Sequence, residues 1–405
     1  MKQSAALAEV ENGKLCSGCG LCASIAPEVV SIGISADGYL RPRITSELTP
    51  EQDALVASTC PGLIGEPWEG KASFVDPYWG PIAECQTGYA LEEPVRFRCS
   101  SGGVISALAL FSLEEGLVEK VLHVSADPAN PTGNMVRISR TREDVLDGAG
   151  SRYAPSSPLE DIRALLDAGE TTLFIGKPCD VSALRRLARY DERVDRVFPY
   201  MLSFFCGGIP SLKGAERIVE ELGIAPSGLA RFDYRGNGWP GLTVAVAQDG
   251  SRREMTYERS WGQFLSSEVQ FRCKICADPV GGAADIACAD AWYGGETGYP
   301  QFDEADGRSL VLARSASGSD LLSRALAAGK IALEGLPVRE IDLMQPAQAR
   351  RKRLIWSRMK AWQVAGRPIP VFEQMGVSRA TRKASPRSLA KEFLGTMRRI
   401  IQGRI

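Results

Sequence analysis

The sequence predicts an α/β chain of mixed α+β type. Short apolar runs alternate with helix-period segments between residues 104 and 222, the strand–turn–helix rhythm of a sheet covered by helices. Residues 229 to 257 then read as antiparallel strands, with turns at Gly236–Gly241 and Asp249-Gly250. The length of 405 residues exceeds one ordinary core and implies more than one structural unit. Hydrophobic residues make up 44% and charged residues 24%, which excludes a wholly disordered chain. No apolar run reaches the roughly 18 residues of a membrane span. Met1 to Lys14 carries Glu9 and Glu11 and has no apolar stretch, unlike a secretory leader, so a cytoplasmic location is expected.

The elements follow in order. Residues 1–70 are expected to form a loop-rich, cysteine-bearing segment, ending at Cys60-Pro61-Gly62 and a Gly/Pro/Trp stretch, with a linker near 70–80. Residues 71–165 and 166–340 are the two parts of the core. Within them, helices are expected at Val104–Leu113, Ile162–Ala168, Val181–Tyr190, Leu212–Leu222 and Leu322–Ala328. Strands are expected at Val118–Val124, Thr171–Ile175 and Phe198–Phe205, with a turn over Gly176–Asp180. Residues 341–405 form a basic tail with amphipathic helices at Ala347–Trp362 and Leu389–Ile401. No repeat of solenoid period is present.

The net charge of −1 hides an asymmetry. Arg350 to Ile405 holds 15 Lys/Arg against two Asp/Glu, so the rest of the chain carries about −14. His123 is the only histidine, which removes mechanisms that need two and most catalytic zinc sites. It sits in the apolar run Val121–Val124, as a buried strand histidine would.

Eleven cysteines are present, an odd number that argues against a closed disulfide framework. Clustered cysteines in a reducing compartment point to metal rather than disulfides. Cys16, Cys19 and Cys22 are spaced C-x-x-C-x-x-C, which wraps three thiolates around one face of a 4Fe–4S cube. In the bacterial ferredoxin run the fourth cysteine follows four residues later, before proline. Here that place holds Ala26, before Pro27, and Cys60, also before a proline, is the expected replacement. Zinc is the competing reading, although zinc sites favour two separated pairs. Cys273 and Cys276 form a second pair that needs two more ligands, with Cys179, Cys206 and Cys288 as candidates and buried free thiols as the alternative. Cys85 and Cys99 lack partner spacing and read as isolated thiols.

Two turns suit a phosphate. Ser100-Ser101-Gly102-Gly103 opens a helix, whose N-terminus offers free N–H groups, but many helices begin this way. Gly150-Ser151-Arg152-Tyr153 combines a flexible turn, a cation and a ring, and is also compatible with an ordinary loop. There is no G-x-G-x-x-G after a strand and no Walker A lysine, which argues against a nicotinamide fold and a P-loop.

Taken together in this order, the motifs resemble the beta subunit family of coenzyme F420 hydrogenase and formate dehydrogenase. Its relatives include 7-hydroxymethyl chlorophyll a reductase and ferredoxin-type divinyl chlorophyllide 8-vinyl reductase. The resemblance rests on Cys16-Ser-Gly-Cys19-Gly-Leu-Cys22, Ser101-Gly102-Gly103, Ser151-Arg152-Tyr153, Gly176-Lys-Pro-Cys179, Phe205-Cys206-Gly207 with Pro210, and Cys273-x-x-Cys276-x-Asp278 continuing to Ala284-Asp285-Ile286. It implies a ferredoxin-like iron–sulfur segment, a mixed-sheet flavin-binding core flanked by helices, two 4Fe–4S clusters and FAD. It assigns the second cluster to Cys179, Cys206, Cys273 and Cys276, leaving Cys288 a neighbour. It carries FAD to Ser101, Gly102, Gly103, Ser151, Arg152 and Tyr153, with Lys177 in reach. The hydrogenase subunits lack the N-terminal cysteine run, so the chain looks closer to bacterial members associated with exopolysaccharide genes.

The expected function is an iron–sulfur flavoprotein oxidoreductase. It takes electrons from ferredoxin or a similar one-electron donor and passes them to an organic small-molecule substrate. The alternative is an electron-transfer subunit linking a partner enzyme to a deazaflavin (coenzyme F420) or flavin carrier. The basic tail is read as a solvated or body-packing helix. As a contact surface it would suit an acidic partner or an anionic membrane, with nucleic acid unlikely.

Overall fold

The computed structural model describes residues 4–68, 72, 74–292 and 301–405. Part of the expected linker, at residues 69–71 and 73, lies outside the described residues.

The N-terminal segment is more regular than the loop-rich expectation. Helices Ala5–Asn12, Leu21–Ile25 and Pro50–Thr59 pack with a hairpin of β1 (Val30–Ile34) and β2 (Leu40–Ile44). Leu7, Val30 and Val56 bury one small apolar cluster of their own, which explains why so short a segment can order. Pro50 at the first helical position and a Thr49–Gln52 capping box start the third helix. A short hairpin of β3 (Phe74–Asp76) and β4 (Gly80–Ile82) leads into the core.

The core is one eight-stranded mixed sheet. Its strands are β5 (Glu84–Ala90), β6 (Lys120–Ala126), β7 (Asn134–Ser139), β8 (Thr172–Ile175), β9 (Tyr200–Phe204), β13 (Ile286–Asp290), β14 (Ser309–Ala313) and β15 (Ile331–Gly335). Between β9 and β13 in the chain, β10 (Leu229–Asp233), β11 (Leu242–Ala247) and β12 (Arg252–Thr256) form a separate antiparallel sheet, as expected. The large sheet runs β15-β5-β14-β13-β9-β8-β6-β7. The pairs β13–β9, β9–β8 and β8–β6 are parallel and the rest are antiparallel. Strands from both expected halves of the core interleave in it, so the halves share one sheet.

Side-chain alternation assigns the two faces. Leu173 and Leu202 point toward helices Val104–Glu114 and Ala316–Ala327, whereas Phe174 and Met201 point toward Ile162–Ala168 and Pro178–Leu187. Helix Pro178–Leu187 begins three residues before the expected start, because Pro178 occupies N1 and Asp180 accepts from the Lys177 N–H at 3.0 Å. The expected turn at Gly176–Asp180 is therefore partly helical. Strands β5, β13, β14 and β15 have no counterpart in the sequence reading. His123 does lie buried on β6, 2.7 Å from Ser139 Oγ, and burial pushes it down to about 4.

The tail is not a solvated appendage. Helices Pro346–Val364 and Pro386–Ile401 pack on each other and on the body. The Trp362 ring lies 3.9 Å from Phe271, and its N–H donates to Gly13 O at 3.1 Å. Lys352 is buried, donates to the Ala277 carbonyl, and sits 3.8 Å from the Trp68 ring centre. Among the described residues, no helix is long and apolar enough to cross a membrane.

Candidate metal centres and the adjoining cofactor turns

The parallel strands bring chemistry to one edge. In such sheets, ligands sit beyond the carboxyl ends of the strands. Cys179 follows β8, Cys206 follows β9, and Asp290 ends β13 beside Ser309, the first residue of β14.

Cys16, Cys19, Cys22 and Cys60 line one apolar pocket of about 410 Å³. Cys16 to Cys22 bend around it because Gly20 adopts φ 91°, and a Cβ there would stand 2.9 Å from Glu160 N. Cys60 caps helix Pro50–Thr59, and the N–H groups of Gly62 and Leu63 point at its sulfur. Burial pushes Cys60 up to about 11, with the nearby Cys16 adding to the rise. Burial likewise raises Cys19 and Cys22, and the neighbouring thiols raise them further. Three buried thiols that resist ionisation would be stabilised as thiolates by a positive centre between them.

Cys179, Cys206, Cys273 and Cys276 line a second pocket of about 350 Å³. Cys179 lies in the first turn of helix Pro178–Leu187, where burial, then the nearby Asp180, pushes its thiol well up. Gly208, at φ 118°, sits so close to Val269 that a Cβ would meet its Cγ1 at 2.5 Å, which seats the Cys206 turn. The Cys273 sulfur accepts from Ile209 N at 3.4 Å. Burial, then the nearby Cys273, pushes Cys206 up to about 12. Cys288 is buried in β13 outside this pocket, and Cys85 and Cys99 line neither pocket.

The pockets adjoin. Ser17 lines both, and its hydroxyl is buried without a hydrogen-bond partner, as is Arg272 Nε on the second pocket's wall. Orphaned donors facing a cysteine-lined space fit a group rich in sulfide acceptors. Among the described residues, no three candidate ligands converge as tightly as a single ion demands.

The turns expected to hold FAD also meet. Ser100 Oγ lies 2.5 Å from Ser151 Oγ. Ser101 Oγ, however, donates into the sheet edge at Arg308 O (3.1 Å), and Gly102 N donates to Ser309 Oγ (3.0 Å). Gly103 precedes helix Val104–Glu114 at φ 77°. Arg152 spends four of its N–H groups on Asn134, Phe232, Pro131 and Gly133. Lys177 is buried, with its ammonium on Ser156 and on Asp180 at 2.8 Å, beside the cysteine pockets. Both cations are thus committed to protein acceptors.

Trp261, Tyr257 and Trp292, which sequence reasoning did not single out, lie with Tyr153 around the same place. Tyr153 lies 5.1 Å from Trp261, whose ring covers Gly207 beside Cys206. Tyr257 stacks 6.1 Å from Trp292, and Arg235 lies over both rings while pairing with Asp290 at 2.7 Å. Of the acids quoted as motif residues, Asp278 ties down the loop at Gly282, and Asp285 holds Arg185 and Met201 N.

Comparison with known proteins places this arrangement. Residues 85–163 match the N-terminal model of the coenzyme F420 hydrogenase/dehydrogenase beta subunit, and residues 169–338 match its C-terminal model. The chain belongs to that family.

Among relatives, the coenzyme F420 hydrogenase subunit beta of Methanococcus voltae is 24% identical over 69% of this chain and 95% of its own length. The coenzyme F420-dependent sulfite reductase of Methanocaldococcus jannaschii is 22% identical over 85% of this chain but only 50% of its own. A solved F420-reducing [NiFe] hydrogenase complex from Methanosarcina barkeri contains a chain with TM-score 0.52 and 22% identity, covering 71% of this chain and 96% of that one, a likeness of fold. Cys179, Cys206, Cys273 and Cys276 fall inside the matched family region. The first cysteine set and the tail fall outside it.

Proposed function

We propose that the chain is an electron-transfer component of an oxidoreductase, with a 4Fe–4S cluster in each cysteine pocket and FAD where the Ser101–Gly103 and Ser151–Tyr153 turns meet, at the Ser100–Ser151 contact. The observation that carries this is the shared wall: two four-cysteine pockets meet at Ser17. When bound, such groups supply one-electron carriage and its conversion to hydride chemistry. The chain's own residues have separable tasks. The eight cysteines bind, Arg272 and Ser17 offer donors at the wall, and Tyr153, Tyr257 and Trp292 offer flat surfaces for a ring.

The names of the relatives favour a role beside a partner enzyme, passing electrons to or from a deazaflavin such as coenzyme F420. A second reading is a self-contained reductase that takes electrons from ferredoxin or a similar donor and acts on its own organic substrate. It is supported by the extra cysteine set before residue 85, which gives the chain an electron inlet of its own. The exposed tail cations, among them Lys360, Arg387, Lys391, Arg398 and Arg399, would suit an acidic donor more than a membrane surface.

The test is anaerobic purification with iron, sulfide, zinc and flavin analysis. About eight irons per chain and one FAD are expected. Zinc without flavin absorbance would overturn the proposal. A stable copurifying enzyme would select the partner reading, and turnover of a carbon substrate with reduced ferredoxin alone would select the other.

A further inference from the structure

The tail helix Pro346–Val364 lies beyond the last residue matched by the family, yet it forms part of the second pocket. Arg351 lines that pocket. Its guanidinium forks onto the turn that carries a cysteine, donating to Cys206 O at 3.2 Å and Gly207 O at 2.6 Å. One turn earlier, buried Gln348 donates to the same Cys206 carbonyl at 3.0 Å. Three hydrogen bonds from one helix thus end on two successive carbonyls beside a candidate ligand. The other charged side chains on the pocket are Arg272, from inside the family region, and Asp278, whose carboxylate is held by Val280 N and Gly282 N. Among the described residues, the first pocket's lining contains no charged side chain.

We infer that Arg351 is a positioning residue for the second cluster, setting its reduction potential above what the four thiolates and Arg272 alone would give. The inference rests on the iron–sulfur reading above. The physical basis is that reduction adds a negative charge to a buried group. A fixed cation a few ångströms away stabilises that charge strongly where water is excluded. The asymmetry between the pockets then makes the second a better electron acceptor than the first, and so gives the pair a direction.

The experiment is a potentiometric titration of the whole chain followed by electron paramagnetic resonance. The signal lost in Cys206→Ala identifies the second cluster. Arg351→Gln is expected to lower the midpoint of that signal and leave the other in place. Arg351→Lys, which keeps the charge, is expected to restore most of the shift. Lys360→Gln, an exposed tail cation, is expected to move neither. An unchanged second midpoint in Arg351→Gln would overturn the inference, as would equal shifts of both signals or an equal effect of Lys360→Gln. If Arg351→Gln loses the second cluster's iron while Arg351→Lys keeps it, the cation is needed to seat the cluster and the inference stands. Loss in both variants assigns Arg351 to folding instead and overturns it. A wild-type chain without iron in either pocket is a different failure, that of the iron–sulfur reading itself.

Discussion

The two pockets are each lined by four cysteines and are built in opposite ways. The first is local: three of its cysteines span seven residues, and the fourth caps the helix packed behind them. The second gathers Cys179 and Cys206 from the ends of neighbouring parallel strands, Cys273 from a later short helix with Cys276 just beyond it, and Arg351 from the tail. A local site needs little more than its own segment to be ordered. A site gathered from four distant places exists only when the whole sheet and the tail are in place. The first pocket's cysteines should therefore be brought together by their own segment and only braced from outside by Phe271 and Trp362, whereas the second should report global folding.

The largest effects test that contrast directly. Cys206→Ala should remove about four of about eight irons and leave the first signal intact. Cys60→Ser should remove the other half, and a full iron count in that variant would take Cys60 out of the first set. Trp362→Ala should cost about 3–5 kcal/mol in chemical unfolding, because a buried indole packed on Phe271 leaves a cavity. Phe271, Cys16 and Cys60 share that apolar cluster, so iron should become labile in both pockets together. Loss confined to one pocket would show that the tail does not join them.

Lys177→Met strands buried Asp180 and should cost a similar amount, about 3–5 kcal/mol. Its flavin content decides a further point. Unchanged flavin would make Lys177 a structural cation between the pockets, whereas lost flavin at normal stability would return it to the cofactor. The smallest effect is a pH slope. His123 is held neutral when folded, near 4, against an ordinary 6.5. Below 6.5 the unfolded chain binds a proton that the folded chain refuses. Stability should therefore fall as pH drops from 7 to 5, by up to about 2 kcal/mol. His123→Gln should flatten that slope, and an identical slope in the variant would locate the proton elsewhere.

What the sequence revealed follows the same division. Helix Ile162–Ala168 and the hairpins of residues 229–257 could be read because their signals are short-range periodicity and turn residues. The triple-cysteine run could be read because its ligands are neighbours. The second set could be grouped only through family resemblance, since nothing in Cys179 itself says that Cys273 comes near it. Strands β13 and β14 escaped notice because both are short and nearly wholly buried, with no polar alternation to mark them. For Arg351 and Lys352 the body-packing reading of the tail holds over the solvated one, because the carbonyls of Cys206, Gly207 and Ala277 draw both side chains inward. Arg152, a loop cation that invites a phosphate, is tied to the backbone around it.

The tail's route has one more consequence, for biogenesis. Val371 pairs with the segment just after Cys60, and Arg367 bonds Asn12 O, so the tail straps the N-terminal module as well as the second pocket. Every cysteine of both pockets leaves the ribosome before this strap does, by at least 70 residues for the last of them. At about 5–20 residues per second, the interval is several seconds. During it the cysteines are already made but the tail that covers them is not. Docking of the tail comes last, so the order of synthesis is also an order of assembly.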